Sequence, residues 1–308
     1  MAVIELNKLS KWYGEVIGLN NVSAVVESGI TGLIGPNGAG KSTLMGLAMG
    51  QLRPSTGSIR VLGQPVWDNP AVLSQVGYCP EGDVFWPEMT GWQFVLFLVK
   101  ASGLRGDAAR TAASEAIELT GMREHRHRAI RGYSKGMRQR IKIAQALAHD
   151  PRLLILDEPL TGADPVARHD LTTLFRDLAA EGVDILISSH VLHEVEALTH
   201  QILMIHHGRI VAEGDLQDVR RQMLDRPYAI RVRVNDARRL AAAMIDWEIV
   251  IGVQMVSSDT LIIETPAPER VYDRLPETIL AQGLVAKEIA AADAGLEAIF
   301  GYLTASGV

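Results

Sequence analysis

The sequence predicts an α/β fold with an inserted, mostly helical lobe, followed by a small α+β domain. Short apolar runs alternate with helical or loop segments, and this alternation predicts a largely parallel sheet of buried strands. These strand-like runs are Val22–Val26, Ile30–Ile34, Leu153–Leu156, Ile185–Ser188 and Ile202–Ile205. The stretch from Pro87 to about Ala148 instead holds helical patterns such as "AARTAASEAIEL" and "MRQRIKIAQALA". After Asp218 the pattern changes again.

The chain is longer than a typical single domain. Its 308 residues favour one large domain and one smaller one. We place the large α/β domain at 1–220, its helical lobe at about 87–150, and the accessory α+β domain at 226–308. In the accessory domain "YAIRVRV" and "TLIIE" alternate as half-buried strands, two further segments have helical patterns, and "GLEAIFGYL" closes the chain.

Composition indicates a soluble globular protein. The net charge of -6 and the 47% of hydrophobic residues argue against disorder and against strong nucleic-acid binding, so no nucleic-acid partner is expected. Cys79 is the single cysteine, which excludes an internal disulfide and favours a reducing cytosol. The N-terminus lacks the apolar stretch of a signal peptide, and apolar runs such as Phe94–Val99 fall far short of the roughly 20 residues that span a bilayer. Any membrane role is therefore expected to act through a partner.

A glycine-rich stretch follows the predicted strand Ile30–Ile34. It reads "GPNGAGKS" from Gly35 to Ser42 and fits G-x-x-x-x-G-K-[ST], in which loop amides cradle phosphates. Glycines permit the positive φ angles and the close backbone approach that such a loop needs. Lys41 would neutralise the terminal phosphates and the Ser42 hydroxyl would bind Mg²⁺. Thr43–Leu52 has the apolar spacing of a helix, whose N-terminus would point its positive dipole end at the phosphates.

Two features mark the predicted helical lobe. The segment "FWPEMTGW" clusters Phe85, Trp86 and Trp92, for which a partner interface and burial in the lobe are both open interpretations. The segment "GYSKGMRQRIKIAQALA" places Ser134 before a helical pattern, where it can act as the N-cap. The free amides of that first turn, next to Gly136, would then be available to an anion. The sequence thus predicts a second phosphate-binding helix end.

A pair of carboxylates ends the apolar run "LLILDEP". Buried parallel strands are unbroken apolar runs, and ligands bind at their carboxyl ends. Asp157 would hold Mg²⁺ through its water shell, and Glu158 would polarise the water that attacks the γ-phosphate. The alternative is that the Asp-Glu-Pro sequence merely caps the next helix, but the phosphate loop upstream favours the catalytic interpretation.

These motifs occur together with "GYCPE" before the lobe, "LTGADP" after the carboxylates and "ISSH" at the end of the next strand. Over roughly Met1–Leu216 the chain resembles the ATP-binding subunits of ABC transporters, and within that family it is more similar to exporter-type subunits. The resemblance implies a P-loop NTPase fold of the ABC cassette type. It also implies that the protein binds ATP and Mg²⁺ and is a Mg-dependent ATPase.

The resemblance assigns the nucleotide and metal contacts within one subunit. Tyr13, in "KWYGE", would stack on the adenine ring. The phosphates would be held by the Walker A residues, which are Gly35, Pro36, Asn37, Gly38, Ala39, Gly40, Lys41, Ser42 and Thr43. The metal would be held by Ser42, Asp157 and Glu81. Glu81 lies where most members have a glutamine that touches both the metal and the attacking water.

The resemblance also assigns catalytic residues and contacts between subunits. Glu158, His190 and Glu81 would act at the reacting γ-phosphate, His190 as the switch histidine. The segment "SKGMRQ" is similar to the signature of the family, so its Ser134 and Gly136 would contact ATP that is held by the opposite protomer. Asp164 is similar to the aspartate of the D-loop. Two protomers would therefore sandwich two ATP molecules head to tail.

Four residues depart from the commonest pattern of the family, of which Ala163 stands where leucine is usual. Glu81 replaces an amide by a carboxylate, which accepts but cannot donate a hydrogen bond when ionised. Lys135 and Met137 replace the glycine and glutamine of the signature, while Ser134 and Gly136 keep the helix-cap geometry.

The leading functional hypothesis is the ATPase subunit of a membrane exporter. Its expected partners are a second copy of itself and a multi-span membrane subunit, and it would lie in the cytoplasm on the inner face of the cell membrane. The alternative is a soluble ABC ATPase that acts on ribosomes or DNA. Such proteins usually carry two cassettes with a charged linker, or a long inserted coiled coil, and the sequence has neither.

Overall fold

A computed structural model describes residues 2–222 and 227–292. The chain divides into two compact units, Met1–Asp215 and Leu216–Val308. This division lies earlier than the boundary at 220 that the sequence suggested. The closing segment "GLEAIFGYL" lies outside the described residues.

The first unit combines ten strands and seven α-helices among the described residues. The strands are β1 (Ala2–Tyr13), β2 (Val16–Glu27), β3 (Ile30–Ile34), β4 (Thr56–Val61), β5 (Gln64–Pro65), β6 (Val76–Cys79), β7 (Leu153–Leu156), β8 (Asp184–Ser189), β9 (Gln201–His206) and β10 (Arg209–Asp215). The helices are α1 (Lys41–Ala48), α2 (Pro70–Leu73), α3 (Gly91–Ala101), α4 (Gly106–Leu119), α5 (Lys135–Leu147), α6 (Pro165–Ala180) and α7 (Leu192–Glu196).

A six-stranded sheet forms the centre of this unit, in the order β10-β9-β3-β8-β7-β6. All neighbouring pairs are parallel except β10 and β9, so the predicted α/β class with a largely parallel sheet is confirmed. Strand β7 is buried along its whole length. Leu154 and Leu156 pack into one hydrophobic core, while Leu153 and Ile155 pack into another. A strand with apolar cores on both faces is necessarily an unbroken apolar run.

A second sheet is antiparallel, in the order β2-β1-β4-β5. The sequence patterns did not indicate β1, and they indicated only the end of β2. Register shifts interrupt the β1–β2 ladder at four places, so the apolar and polar residues of these strands do not keep a clean period of two. This sheet shares its hydrophobic core with α1.

Helices α3, α4 and α5 form the helical lobe that was predicted between the phosphate loop and the later strands. Helix α3 begins with a capping box, in which Thr90 Oγ1 accepts from Gln93 N and Gln93 Oε1 accepts from Thr90 N. Helix α1 is shorter than the predicted Thr43–Leu52. It ends at Ala48 because Gly50 takes a φ of 62°, which a continuing helix cannot accommodate.

The second unit is described through Ala292, with residues 223–226 outside the description. Its elements are α8 (Leu216–Gln222), β11 (Tyr228–Val234), α9 (Ala237–Met244), β12 (Gly252–Met255), β13 (Thr260–Thr265), α10 (Pro268–Ala281) and β14 (Ala286–Ala291). The sheet order β12-β13-β11-β14 is antiparallel throughout and, with β-α-β-β-α-β connectivity, corresponds to a ferredoxin-like split βαβ arrangement. Its helices cover one face, which buries a separate core.

Candidate functional site

The carboxyl ends of the parallel strands bring the predicted site residues together. The phosphate loop follows β3, Glu81 follows β6, the Asp157–Glu158 pair follows β7, and His190 follows β8. Because these four strands are parallel neighbours or near neighbours, their ends meet at one edge of the sheet. A cleft of about 480 Å³ lies at this edge.

The phosphate loop has the backbone geometry that its glycines permit. Gly38 and Gly40 have φ angles of 79° and 114°, in the left-handed region. A Cβ at Gly40 would lie 2.7 Å from the carbonyl oxygen of Gly18, so this position also requires glycine for space. Gly40 is the N-cap of α1 and offers no side chain to its first turn. The amides of that turn are therefore available to an anion.

Lys41 is 7% exposed, and its ammonium is held inside the loop. Nζ donates to Gly35 O at 2.7 Å and to Pro36 O at 3.3 Å, and it lies 3.9 Å from Glu158 Oε1. The cation thus lies between the phosphate loop and the second carboxylate, where a phosphate on the loop would bring negative charge.

Asp157 is buried and fixed through both carboxylate oxygens. Ser188 Oγ donates to Oδ1 at 2.7 Å, and Ser42 Oγ donates to Oδ2 at 3.3 Å. Ser188 Oγ also accepts from Glu158 N at 2.9 Å, so one hydroxyl aligns both acidic residues. A hydroxyl and a carboxylate side by side are oxygen ligands that suit Mg²⁺, which in phosphate sites keeps its remaining positions for water and phosphate. The residues present therefore fit this metal.

Glu158 is buried and has a positive φ of 51°. Its Oε2 accepts from Thr161 Oγ1 at 3.2 Å and lies 2.8 Å from His190 Nδ1, which donates to it in the tautomer that carries hydrogen at Nδ1. A non-glycine residue held in the left-handed region is strained by about 1–3 kcal/mol, and such strain is concentrated at functional sites. The backbone thus aims this carboxylate into the cleft, and His190 contacts it from the solvent side.

Tyr13 and Glu81 lie at the open edges of the same cleft. Tyr13 OH is 3.4 Å from Thr43 Oγ1, and its ring is 46% exposed, which leaves a face available for stacking. Glu81 is exposed, and the backbone carbonyls of its loop accept hydrogen bonds from Lys142 Nζ. The residues that line the cleft are Tyr13, Val16, Ile17, Gly18, Pro36, Asn37, Gly38, Gly40, Lys41, Ser42, Thr43, Glu81, Asp157 and Glu158.

The predicted signature residues lie elsewhere on this unit. Ser134 caps α5 by accepting from Met137 N at 3.2 Å, and Asp164 caps α6 by accepting from Ala167 N at 2.8 Å. These two helix starts line a second cleft of about 500 Å³, together with Gly136. The structure does not bring Ser134, Gly136 and Asp164 to the first cleft.

Comparison with known proteins identifies the family of the chain. The model of the ABC transporter family matches residues 19–161. The ABC transporter ATP-binding protein YxlF of Bacillus subtilis is 35% identical over 232 residues, which are 75% of this chain and 77% of that protein. The chain belongs to the ABC transporter ATP-binding proteins.

Two further relatives extend the comparison. The Nod factor export ATP-binding protein I of Cupriavidus pinatubonensis is 34% identical over 220 residues, 71% of this chain and 68% of that protein. A solved structure, described as the ATP-binding subunit of an ABC transporter, is 32% identical with a TM-score of 0.66, and the match covers 72% of this chain and 93% of that one. This ABC protein is thus a nucleotide-binding ATPase with the cassette fold.

Three residues at this ABC site were not singled out from the sequence. Ser188 and Thr161 orient the two carboxylates, and Lys142 holds the loop that carries Glu81. Ser188 lies in the quoted "ISSH" motif, directly after a buried strand, which is a usable signal for a site residue. Thr161 lies three residues after Glu158. Lys142 lies between two isoleucines, and a lysine inside an apolar helical pattern is the signal that it is buried and paired.

The single cysteine of this ABC protein gives a direct test of burial beside the site. Burial raises the pKa of the Cys79 thiol to about 12, and Gln139 Nε2 lies 3.6 Å from its Sγ. Because the thiolate is the reactive form, we expect iodoacetamide at pH 8 to alkylate the native protein at least about 100-fold more slowly than the denatured protein. Mass spectrometry of the intact chain measures the alkylation of Cys79 directly, because the chain has a single cysteine. Equal rates in the two states would show that Cys79 is accessible.

Proposed function

We propose that this protein is the Mg²⁺-dependent ATPase subunit of a membrane exporter and works as a head-to-tail pair. The observation that carries the proposal is the separation of the two clefts. One cleft holds the phosphate loop and both carboxylates, and the other holds Ser134, Gly136 and Asp164, with no lining residue in common among the described residues. Each subunit therefore carries two different half-sites, and a second copy would complete both.

In the first half-site we assign a role to each group. Lys41 and the amides at the start of α1 bind the β- and γ-phosphates, and the Tyr13 ring stacks on adenine. Ser42 and Asp157 would hold Mg²⁺, which when bound neutralises phosphate charge. Glu158 accepts the proton of the attacking water.

Two residues then assist Glu158. His190, in contact with the same carboxylate, orients it, and its ring would contact the γ-phosphate. Glu81 lines the cleft and would lie beside the metal and the attacking water.

The proposed membrane partner is supported by an apolar patch on the helical lobe. Val84, Trp86 and Phe97 are each about half exposed or more, and the Trp86 and Phe97 rings meet edge to face at 5.3 Å. Phe85 packs inward on the buried Phe94, so the aromatic cluster divides between core and surface. Exposed clustered aromatics favour a protein interface. No helix in residues 2–222 or 227–292 is long and apolar enough to span a membrane, and the patch is where we expect the membrane subunit to bind.

The outward direction of transport is supported by similarity to an export ATP-binding protein and by the Glu81 loop. The membrane subunit would place this protein on the inner face of the cell membrane. No feature of the described residues assigns the cargo, which we expect the membrane subunit to select.

Affinity purification tests this proposal. The variant Glu158→Gln, held closed with ATP and Mg²⁺, is purified from detergent-solubilised native membranes, and its companions are identified by mass spectrometry. We expect a stoichiometric multi-span membrane protein. A matched preparation with Lys41→Ala, which cannot hold ATP, should recover less of it if closure tightens the complex. Recovery of ribosomal or DNA-associated proteins alone would overturn the transporter assignment.

A further inference from the structure

One face of α5 is hydrogen-bonded to β6 and to the loop that follows it. The side chains on this face share the helical spacing of three or four residues and reach backbone or side-chain atoms between Val76 and Asp83. On α5 they are Arg138, Gln139, Lys142 and Gln145, and His149, two residues after the end of the helix, continues the row. The same helix begins at the signature, so its N-terminus lines the second cleft. The face described above contacts the loop that carries Glu81, and Glu81 lines the first cleft.

Lys142 is the most deeply buried charged group of this face, at 1% exposure. Its Nζ donates to Glu81 O at 2.7 Å, to Pro80 O at 2.9 Å and to Gly82 O at 3.4 Å. An ammonium has three N–H donors, and here each has a carbonyl of consecutive residues.

The charge of Lys142 is also compensated. Asp83 Oδ1 lies 3.7 Å from Nζ, while Asp83 Oδ2 accepts from Arg138 Nε at 2.7 Å. A buried charge costs several kcal/mol unless it is paired and fully hydrogen-bonded, and this one satisfies both conditions. Its burial is therefore compatible with a stable fold.

The Lys142 ammonium also stabilises the three loop carbonyls that accept its hydrogen bonds. The dipoles of three consecutive carbonyls that point at one centre converge there, so without the ammonium their oxygens repel each other and lose their donor. The loop would then rotate its peptide planes toward water, since Glu81 and Gly82 are exposed. The conformation that presents the Glu81 side chain to the cleft is thus set by a residue of α5.

We propose that Lys142 is a positioning residue for ATP hydrolysis, which fixes the Glu81 loop and ties it to the signature helix. The inference rests on the proposed function, in which Glu81 lies beside the metal and the attacking water. It adds a physical link between the half-sites of one subunit. A displacement of α5 when its N-terminus meets the nucleotide of the other copy moves Nζ, and with it the carbonyls of the Glu81 loop.

The test compares Lys142→Met with the matched control Gln145→Met. Gln145 lies one helical turn further along the same face and donates to Tyr78 O at 2.6 Å, in β6 rather than in the loop. Both variants place a methionine on this face of α5. Lys142→Met removes three hydrogen bonds to the carbonyls of the loop together with a charge, and Gln145→Met removes one hydrogen bond to a carbonyl of β6. We expect Lys142→Met to lower kcat by about tenfold or more, with ATP affinity changed less than about twofold, and Gln145→Met to keep kcat within about twofold.

A double-mutant cycle separates positioning from a general loss of stability. If Lys142 acts through the Glu81 side chain, Lys142→Met should lower kcat much less in a Glu81→Ala background than in the wild type. A purely structural effect would lower kcat by the same factor in both backgrounds, and that outcome would overturn the inference. If Lys142→Met does not fold, Lys142→Gln, which keeps a neutral donor, enters the same cycle.

Failure of the proposed function and failure of the role of Lys142 would give different results. A wild-type protein that does not hydrolyse ATP would contradict the proposed function. A wild-type protein that hydrolyses ATP, with Lys142→Met equal to Gln145→Met in kcat, would remove the role of Lys142 alone.

Discussion

Replacing Glu158 by glutamine is expected to stop ATP hydrolysis while ATP remains bound. Glutamine keeps the size of the side chain and can still accept from Thr161 and His190, but it has lost the negative charge and the basicity that draw a proton from water. General-base catalysis contributes typically about 10²–10⁴-fold, and we expect a loss of kcat in that range. The loss of a charge 3.9 Å from Lys41 also leaves that ammonium freer to bind phosphate, so affinity for ATP should not fall.

The measurement pairs steady-state phosphate release with equilibrium binding of a fluorescent ATP analogue. Glu181→Gln is the matched control, because Glu181 is exposed at the end of α6 and the substitution removes the same charge far from the chemistry. We expect this control to hydrolyse ATP as the wild type does. Hydrolysis by Glu158→Gln within about twofold of the wild type would show that another group accepts the proton.

The phosphate loop and its flanking strand could be predicted because their causes are local. Strand β3 has the predicted bounds Ile30–Ile34, and β7 has the predicted bounds Leu153–Leu156. Both are buried on two faces, so the apolar run and the strand coincide. The phosphate loop also has a local cause, since Gly38 and Gly40 take positive φ angles, whereas the close contact of Gly40 with Gly18 O involves a residue distant in the chain.

Other elements depend on partners that are distant in the chain. The alanine-rich "AKEIAA" of β14 consists mostly of good helix formers, yet Ala286–Ala291 pairs with β11 as an edge strand. Tertiary pairing overrides propensity there. The apolar neighbours of Lys142 indicate that it is buried, but they do not indicate its partners, which are carbonyls 60 to 62 residues earlier in the chain.

The separation of the half-sites has an energetic consequence. In the proposed head-to-tail pair, a nucleotide on the phosphate loop of one copy would gain the signature contacts only when the second copy approaches, so part of its binding free energy would drive association. Hydrolysis would remove the γ-phosphate and with it that contribution. The signature residues are therefore expected to govern association more than nucleotide binding to the free subunit.

Replacing Ser134 by arginine is expected to block this ATP-driven association. Ser134 Oγ caps α5 through Met137 N, and the loss of a cap costs about 1 kcal/mol of stability. The larger effect is steric, because a long side chain at an exposed helix start fills the cleft shared with Gly136 and Asp164. The first cleft shares no lining residue with it, so binding of ATP to the monomer should be unchanged.

Size-exclusion chromatography with light scattering measures the outcome in the Glu158→Gln background, which keeps ATP intact. We expect ATP and Mg²⁺ to convert the parent variant to a dimer and to leave the Ser134→Arg variant monomeric at the same concentration. Ser134→Ala is the matched control, since it removes the cap without filling the cleft and should weaken the dimer without abolishing it. An ATP-dependent dimer of Ser134→Arg equal to that of the parent would mean that the second cleft does not face the nucleotide of the other copy. The head-to-tail arrangement would then be wrong even if hydrolysis at Glu158 is right, because the two claims rest on different clefts.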